Sequence, residues 1–224
     1  MALPTHMRKY WAPIAAIRDH LEAKCQAYTR IVEVQPGSVP IPFATDTIDY
    51  SVDKIDLDTT VLAYPDQSFD FLYCRHVLED LQNPDFAFRE MIRISQTGFV
   101  ETPSPLVECT RNVDAGPLAS FYCGYNHHRY VTWTESATNT LCFLPKMPII
   151  EHVNFQLNSD TLARLADPYM WNNYYEWNPD QPARYKIYKS GLDFSAIQDY
   201  VPLLNHAIEE SIKNTTAFRH FFRN

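Results

Sequence analysis

Apolar residues Ile14, Ile17, Leu21 and Cys25 recur at helical spacing with Arg18, Asp19, Glu22 and Lys24 between them, and Pro13 suits a first helical position. The pattern predicts a helix ahead of the first strand. Ile31, Val32 and Val34 form a short β-branched run ended by Pro36-Gly37, which reads as a buried strand entering a turn. A second strand is expected to end at Asp49, and residues 69–74 read as a further buried strand. Asn83-Pro84-Asp85 supplies a cap, a first-turn proline and an early acid, and Phe88, Met91 and Ile92 give the following helix one apolar face. Residues 98–102 read as the next strand, stopped by Pro103 and Pro105. This strand, helix, strand rhythm predicts an α/β fold, with a mostly parallel sheet and helices on its faces.

Beyond residue 128 the pattern changes. Residues 130–133 and 141–144 flank a polar loop of Thr, Glu, Ser and Asn, the signature of an antiparallel hairpin with a longer loop. From Asp193 a last helix is expected, with Ile197, Tyr200, Leu204 and Ile208 on one side and Pro202 positioned to kink it. No internal repeat or low-complexity tract occurs. The first ten residues lack the apolar core of a signal peptide, and no window approaches the roughly 18 continuous apolar residues of a membrane span. The expectation is a cytoplasmic protein with no membrane partner.

At 224 residues the chain suits one domain, since a single core serves up to roughly 250 residues. Its core is expected over about residues 28–150, with an aromatic-rich and helical elaboration over about 151–224. Lys and Arg number 19 against 27 Asp and Glu, and the net charge of -8 argues against a nucleic-acid partner, which calls for a basic stripe. Cys25, Cys74, Cys109, Cys123 and Cys142 are odd in number and hold no C-x-x-C pair, so reduced thiols are expected rather than a disulfide framework or zinc ribbon. Glycine occurs only five times, about a third of average usage, which is sparse for a nucleotide-binding fold built on glycine turns.

Residues 62–81, L-A-Y-P-D-Q-S-F-D-F-L-Y-C-R-H-V-L-E-D-L, closely resemble the signature of class I S-adenosylmethionine-dependent methyltransferases of the type 11 group. The resemblance extends over roughly residues 28–102. It implies a Rossmann-like methyltransferase sheet, closed at one edge by the antiparallel hairpin, with S-adenosylmethionine as cofactor. In that family an acid ends the first strand ahead of a glycine turn, because the backbone must approach the amino-acid part of the donor without a Cβ in the way. Glu33 and Gly37 fit those places, while Gln35 stands where the first glycine is usual. Asp49 resembles the acid that holds the ribose hydroxyls, and Asp58, four residues before Leu62, resembles the acid that accepts from the adenine amine. A solvated acidic loop is the other reading of Asp46, Asp49, Asp53, Asp56 and Asp58.

Spacing departs from the family. Only residues 38–48 separate Gly37 from Asp49, whereas a parallel crossover with its helix takes a dozen residues or more, and Pro40 and Pro42 disfavour a helix there. Residues 50–57 leave no room for another full helix and strand. The glycine motif is degenerate, and the sheet is expected to be trimmed near its first two crossovers.

Methyl transfer is an in-line displacement, so the protein must align an acceptor and remove a proton from a poor nucleophile. His76 stands where the family faces the donor, and an imidazole near its ordinary pKa of about 6.5 could act as base; a packing histidine is the other reading. Glu79-Asp80 departs from the family's Glu-His pair, and Glu79 reads as structural. Residues 121–130 are polar and aromatic and suit an acceptor pocket, with His127 or His128 as acid or base. On an extended backbone these two histidines face opposite ways, so at most one lines a given site. No metal site is expected: neither H-x-x-x-H nor H-x-H spacing ties them to Glu101 and His152. The aromatics of residues 169–188 could stack on an acceptor, or pack over the shortened sheet and offer a homodimer contact. The leading expectation is S-adenosylmethionine-dependent methylation of a small polar or carbohydrate-type acceptor. The alternatives are a methyltransferase-like fold that has lost donor binding and serves as a regulatory or scaffolding protein, and use of the pocket for a different reaction.

Overall fold

The computed structural model of the chain describes residues 15–36, 40–114, 117–152, 163–188 and 194–221, so Pro13, Ile14 and Gly37 lie outside the described residues. Helix α1 (Ala15–Cys25) buries Ile17, Leu21 and Cys25, the stripe expected from their spacing. Strand β1 (Ile31–Val34) is buried along its whole length. It pairs in parallel with β2 (Asp46–Ile48) on one side and β3 (Phe69–Arg75) on the other, Val32 lying opposite both Asp46 and Leu72. The connection after β1 holds no helix among the described residues 40–45, in keeping with its length and prolines. Asp49 caps the single turn α2 (Tyr50–Asp53), which fits in the space that is too short for a full crossover.

Asn83 accepts from Phe86 N–H and Pro84 occupies the first turn of α3 (Pro84–Ile94), which passes directly into β4 (Ser95–Pro103), parallel to β3. Ser104 and Pro105 then start α4 (Pro105–Glu108). The hairpin β5 (Tyr130–Glu135) and β6 (Thr140–Pro145) forms at the expected residues. After β7 (Asn172–Trp177) and β8 (Tyr185–Ile187), the last described element is α5 (Phe194–Phe221), which continues through Pro202.

The main sheet has the order β2-β1-β3-β4-β7, parallel except at β7. It is a mostly parallel α/β sheet, trimmed as the spacing predicts, but the hairpin does not close it. Strands β5 and β6 instead build a second sheet with β8, in the order β5-β6-β8. The edge of β4 is taken by β7, with Gly98 opposite Trp177 and Pro103 opposite Asn172. A Cβ at Gly98 would lie 2.0 Å from the Trp177 ring, so glycine makes this edge available to the aromatic strand. The outer edge of β7 is covered in turn: Asn214 on α5 accepts from Tyr174 N–H at 3.1 Å and donates to its carbonyl at 3.0 Å, doing what a further strand would do. The aromatics of residues 172–177 are thus core, with Tyr174, Tyr175 and Trp177 buried.

The two sheets share one apolar layer. Leu141 and Phe143 of β6 pack with Phe88 of α3 and with Tyr175 and Trp177 of β7. On the far side of the hairpin, Val131 and Trp133 meet Tyr200, Leu204 and Ala207 of α5. The five cysteines are buried and unpaired. Among the described residues no helix is long and apolar enough to cross a membrane.

Candidate active-site cleft

A cleft of about 490 Å³ opens at the carboxyl ends of β1 and β3, lined among others by Glu33, Gln35, Tyr50, Leu57, His76 and Asp80. These strands are neighbours, yet the chain leaves β1 for β2 on one side and resumes at β3 on the other. Open α/β sheets bind ligands at such a reversal. Gln35 and His76 end the two strands with φ of 52° and 53°, left-handed conformations that cost a non-glycine residue about 1 kcal/mol or more. Gln35 therefore makes, at a cost, the turn for which the family uses glycine, and its N–H is held by the Ile48 carbonyl at 2.7 Å.

Glu33 is buried beneath the cleft and accepts from Ile41 N–H at 2.6 Å. Burial pushes its carboxyl up to about 7, although the Ile41 N–H and the Arg75 charge both favour the ionised form. His76 is held well below the ordinary imidazole range, by burial first and the Arg75 charge second. It is thus neutral at pH 7, but a weaker base than its ordinary value suggests. Its Nδ1 stands 3.3 Å from Oε1 of Glu79, and its backbone N–H donates to the Glu101 carbonyl. Glu101 is itself buried, accepting from Tyr73 Oη at 2.5 Å and from Asn172 Nδ2 at 2.9 Å.

Asp49 and Asp58 have structural partners and do not line the cleft. Asp49 Oδ1 accepts from Ser51 N–H at 2.7 Å and from its hydroxyl, bonds that lower its pKa, and Asp58 Oδ1 accepts from Asn83 N–H at 2.7 Å. The acid of this loop that does reach the cleft is Asp56. The signature itself is largely a set of joints. Asp70 accepts from Thr29 N–H and Oγ1 and from Arg30 N–H, each at 2.9 Å, tying β3 to the entrance of β1. Arg93 donates to the carbonyls of Leu62 and Tyr64, both at 2.8 Å, clamping the loop onto α3.

His127 and His128 do not point apart. Asn126 and His127 form a turn rather than extended chain, so the two rings lie edge to face at 4.5 Å. Both Nε2 atoms face Oδ1 of Asp80, at 3.9 and 3.8 Å. His128 is buried, its Nδ1 2.7 Å from Oε1 of Glu108, whose Oε2 takes Lys146 Nζ at 2.7 Å. Burial opposes charge on His128, but the Glu108 hydrogen bond and the surrounding carboxylates outweigh it and raise its pKa. Burial likewise opposes charge on Glu108, and His128 and Lys146 outweigh it and lower its pKa. Gly124 permits this approach: its φ is 61°, and a Cβ there would stand 2.4 Å from Oε2 of Glu108. Burial pushes Glu79 up to about 7, and neither of its carboxylate oxygens has a hydrogen-bond partner.

Glu33, near the end of β1, and His76, just after β3, come to one cleft, while Asp80, Glu108 and Lys146 are additions from the structure. Glu108 had a signal in the sequence, an acid inside the apolar run Leu106-Val107-Glu108-Cys109. Glu101 and His152 do not join the two histidines in either donor cluster found among the described residues.

Residues 17–99 match the family model of the type 11 methyltransferase domain, so the recognised segment ends inside β4. No curated protein matches the sequence. A solved S-adenosylmethionine-dependent methyltransferase of Thermotoga maritima, described as a possible histamine N-methyltransferase, is similar at 18% identity and a TM-score of 0.33, over 44% of this chain and 56% of that one. One from Mesorhizobium loti is similar at 18% identity and a TM-score of 0.31, over 43% of this chain and 57% of that one. One from Aquifex aeolicus has 11% identity and a TM-score of 0.31, over 55% and 82%. The chain spans little more than half the length of the first two.

Proposed function

We propose that the chain binds S-adenosylmethionine in the cleft at the ends of β1 and β3 and transfers its methyl group to a small polar or carbohydrate-type acceptor. The observation that carries this reading is the position of the cleft: it opens at the reversal of the sheet, within the segment that matches the methyltransferase domain. Its lining supports the same reading, since Glu33, Asp56 and Asp80 bring three carboxylates to the cleft against the one guanidinium of Arg75, an acidic balance suited to a sulfonium. Transfer removes the sulfonium charge, so an ionised wall favours donor over product. In this reading His76, neutral and at the cleft wall, receives the acceptor's proton, and the His128–Glu108 pair, which lies beyond Asp80, flanks the acceptor.

A second reading is favoured by the state of the expected donor ligands. The two carboxylates expected on ribose and adenine are engaged with Ser51 and Asn83, and Gln35 replaces a glycine of the turn. A fold with those features could serve as a non-catalytic regulatory subunit. Calorimetric titration of the full chain with S-adenosylmethionine and S-adenosylhomocysteine separates the two. Methyl transfer requires one site with measurable heat at sub-millimolar ligand, and at pH 8, where Glu33 is ionised, Glu33→Gln should weaken donor binding by tenfold or more, as loss of a charged partner worth about 1.5–3 kcal/mol implies. No heat with either ligand at millimolar concentration overturns the methyltransferase reading and leaves the regulatory one.

A further inference from the structure

We propose that Asp80, His127 and His128 form a binding site for a divalent first-row transition-metal ion of the zinc class, with its open positions toward the cleft. The site is independent of the donor-binding reading, although Asp80 belongs to both. One ligand atom from each residue lies within 4.8 Å of the other two, and Asp80 Oδ1 is 3.9 and 3.8 Å from the two Nε2 atoms. Metal bonds of about 2.0–2.2 Å place tetrahedral ligands about 3.3–3.5 Å apart, so the cluster needs a contraction of about half an ångström at Asp80. His127 can supply the larger movement between the rings, being exposed in a turn.

Two independent features indicate a ligand rather than a surface cluster. The first is the orientation of His128: its Nδ1 faces a buried carboxylate, Glu108, which Lys146 holds from the other side. A carboxylate behind one ring nitrogen leaves the other nitrogen's lone pair for a metal, the arrangement by which metal-binding histidines are oriented. The second is Asp80 Oδ1, which is buried and without a hydrogen-bond partner although it faces two imidazoles. A buried unpaired carboxylate oxygen is costly, and a cation shared with both rings would remove the cost.

Another His and carboxylate cluster, Glu135, His206 and Glu210, lacks this character. There Glu135 Oε1 accepts from Trp133 Nε1 at 2.8 Å and faces His206 Nε2 at 2.7 Å, while Glu210 is occupied by Ser136 N–H and Lys213. Two imidazoles and one carboxylate suit zinc, cobalt, nickel or ferrous ion, whereas magnesium and calcium prefer oxygen ligands alone. Three protein ligands leave a position for water or an acceptor oxygen, as in catalytic rather than structural metal sites.

The test uses the full chain stripped with a chelator and titrated with zinc, and separately with cobalt to read ligand-field absorption. One equivalent should bind, with visible cobalt bands and a rise in melting temperature, and magnesium should produce neither. His127→Ala, an exposed change, should weaken zinc binding by at least tenfold, as should Asp80→Asn, and His206→Ala should leave it unchanged. If Asp80→Asn does not fold, His127→Ala decides alone. The proposal fails if the wild-type chain takes up no zinc, or if affinity is unchanged in His127→Ala. Because donor and acceptor are absent from this titration, its failure is distinct from failure of the methyltransferase reading.

Discussion

Glu33 lies on β1, an interior strand of the main sheet, with its carboxyl buried. Burial raises its pKa from 4.5 to about 7, so the folded chain holds this proton more tightly than the unfolded one. Folding therefore takes up a proton between those values. The resulting stability is complete below about pH 4.5 and is lost as the pH rises through about 7. Glu33→Gln keeps an oxygen for the Ile41 N–H and removes the titration. Chemical denaturation should find this variant more stable than wild type at pH 8, by on the order of 1–3 kcal/mol, with the advantage vanishing near pH 4. The same variant should lose donor affinity. An unaltered pH dependence of stability would show that Glu33 is not the group that titrates. A buried carboxyl whose pKa is shifted this far, at the cleft end of an interior strand, marks a functional position rather than a packing one.

Among the elements, those around the signature were legible because their causes are local. The Asn83 cap and Pro84 start α3, the apolar run of residues 69–74 gives β3, and two prolines limit the end of β4. The partner of β4 was not legible, because it depends on a contact between residues distant in sequence. Gly98 matters there for the space it leaves to Trp177, and a lone glycine in a strand pattern does not name the ring that will pass over it. Gly98→Ala should destabilise the chain by about 1–3 kcal/mol or more through overpacking, read as a lowered melting temperature. It should release β7 together with its Asn214 contact, seen as faster amide exchange at Tyr174. A melting temperature and exchange pattern equal to wild type would contradict this account of the edge. The hairpin, excluded from that edge, founded the second sheet instead.

At the scale of the whole molecule, the recognisable segment and the candidate chemistry overlap only in part. Residues 17–99 provide the family match, α1 through most of β4 and the cleft, while His127, His128, Glu108 and Lys146 come from the chain beyond it. The sequence indicated a site at the strand ends through its family resemblance, and residues at the ends of parallel strands do collect at one edge of a sheet. It did not indicate that Asp49 would cap the turn at Tyr50–Asp53 or that Asp58 would hold Asn83 N–H, because a short acidic loop reads the same whether it holds a ribose or backbone N–H groups. Nor did spacing reveal the approach of Asp80 to two histidines, which depends on a turn at residues 126–127 and on Gly124 lying against Glu108. The central claim is that the cleft between β1 and β3 holds the donor on this shortened frame. A crystal structure of the chain with S-adenosylhomocysteine tests it most directly. The account predicts ligand density in that cleft, in contact with Glu33, Tyr50 and Leu57; an empty cleft at saturating ligand, or density elsewhere on the chain, would contradict it.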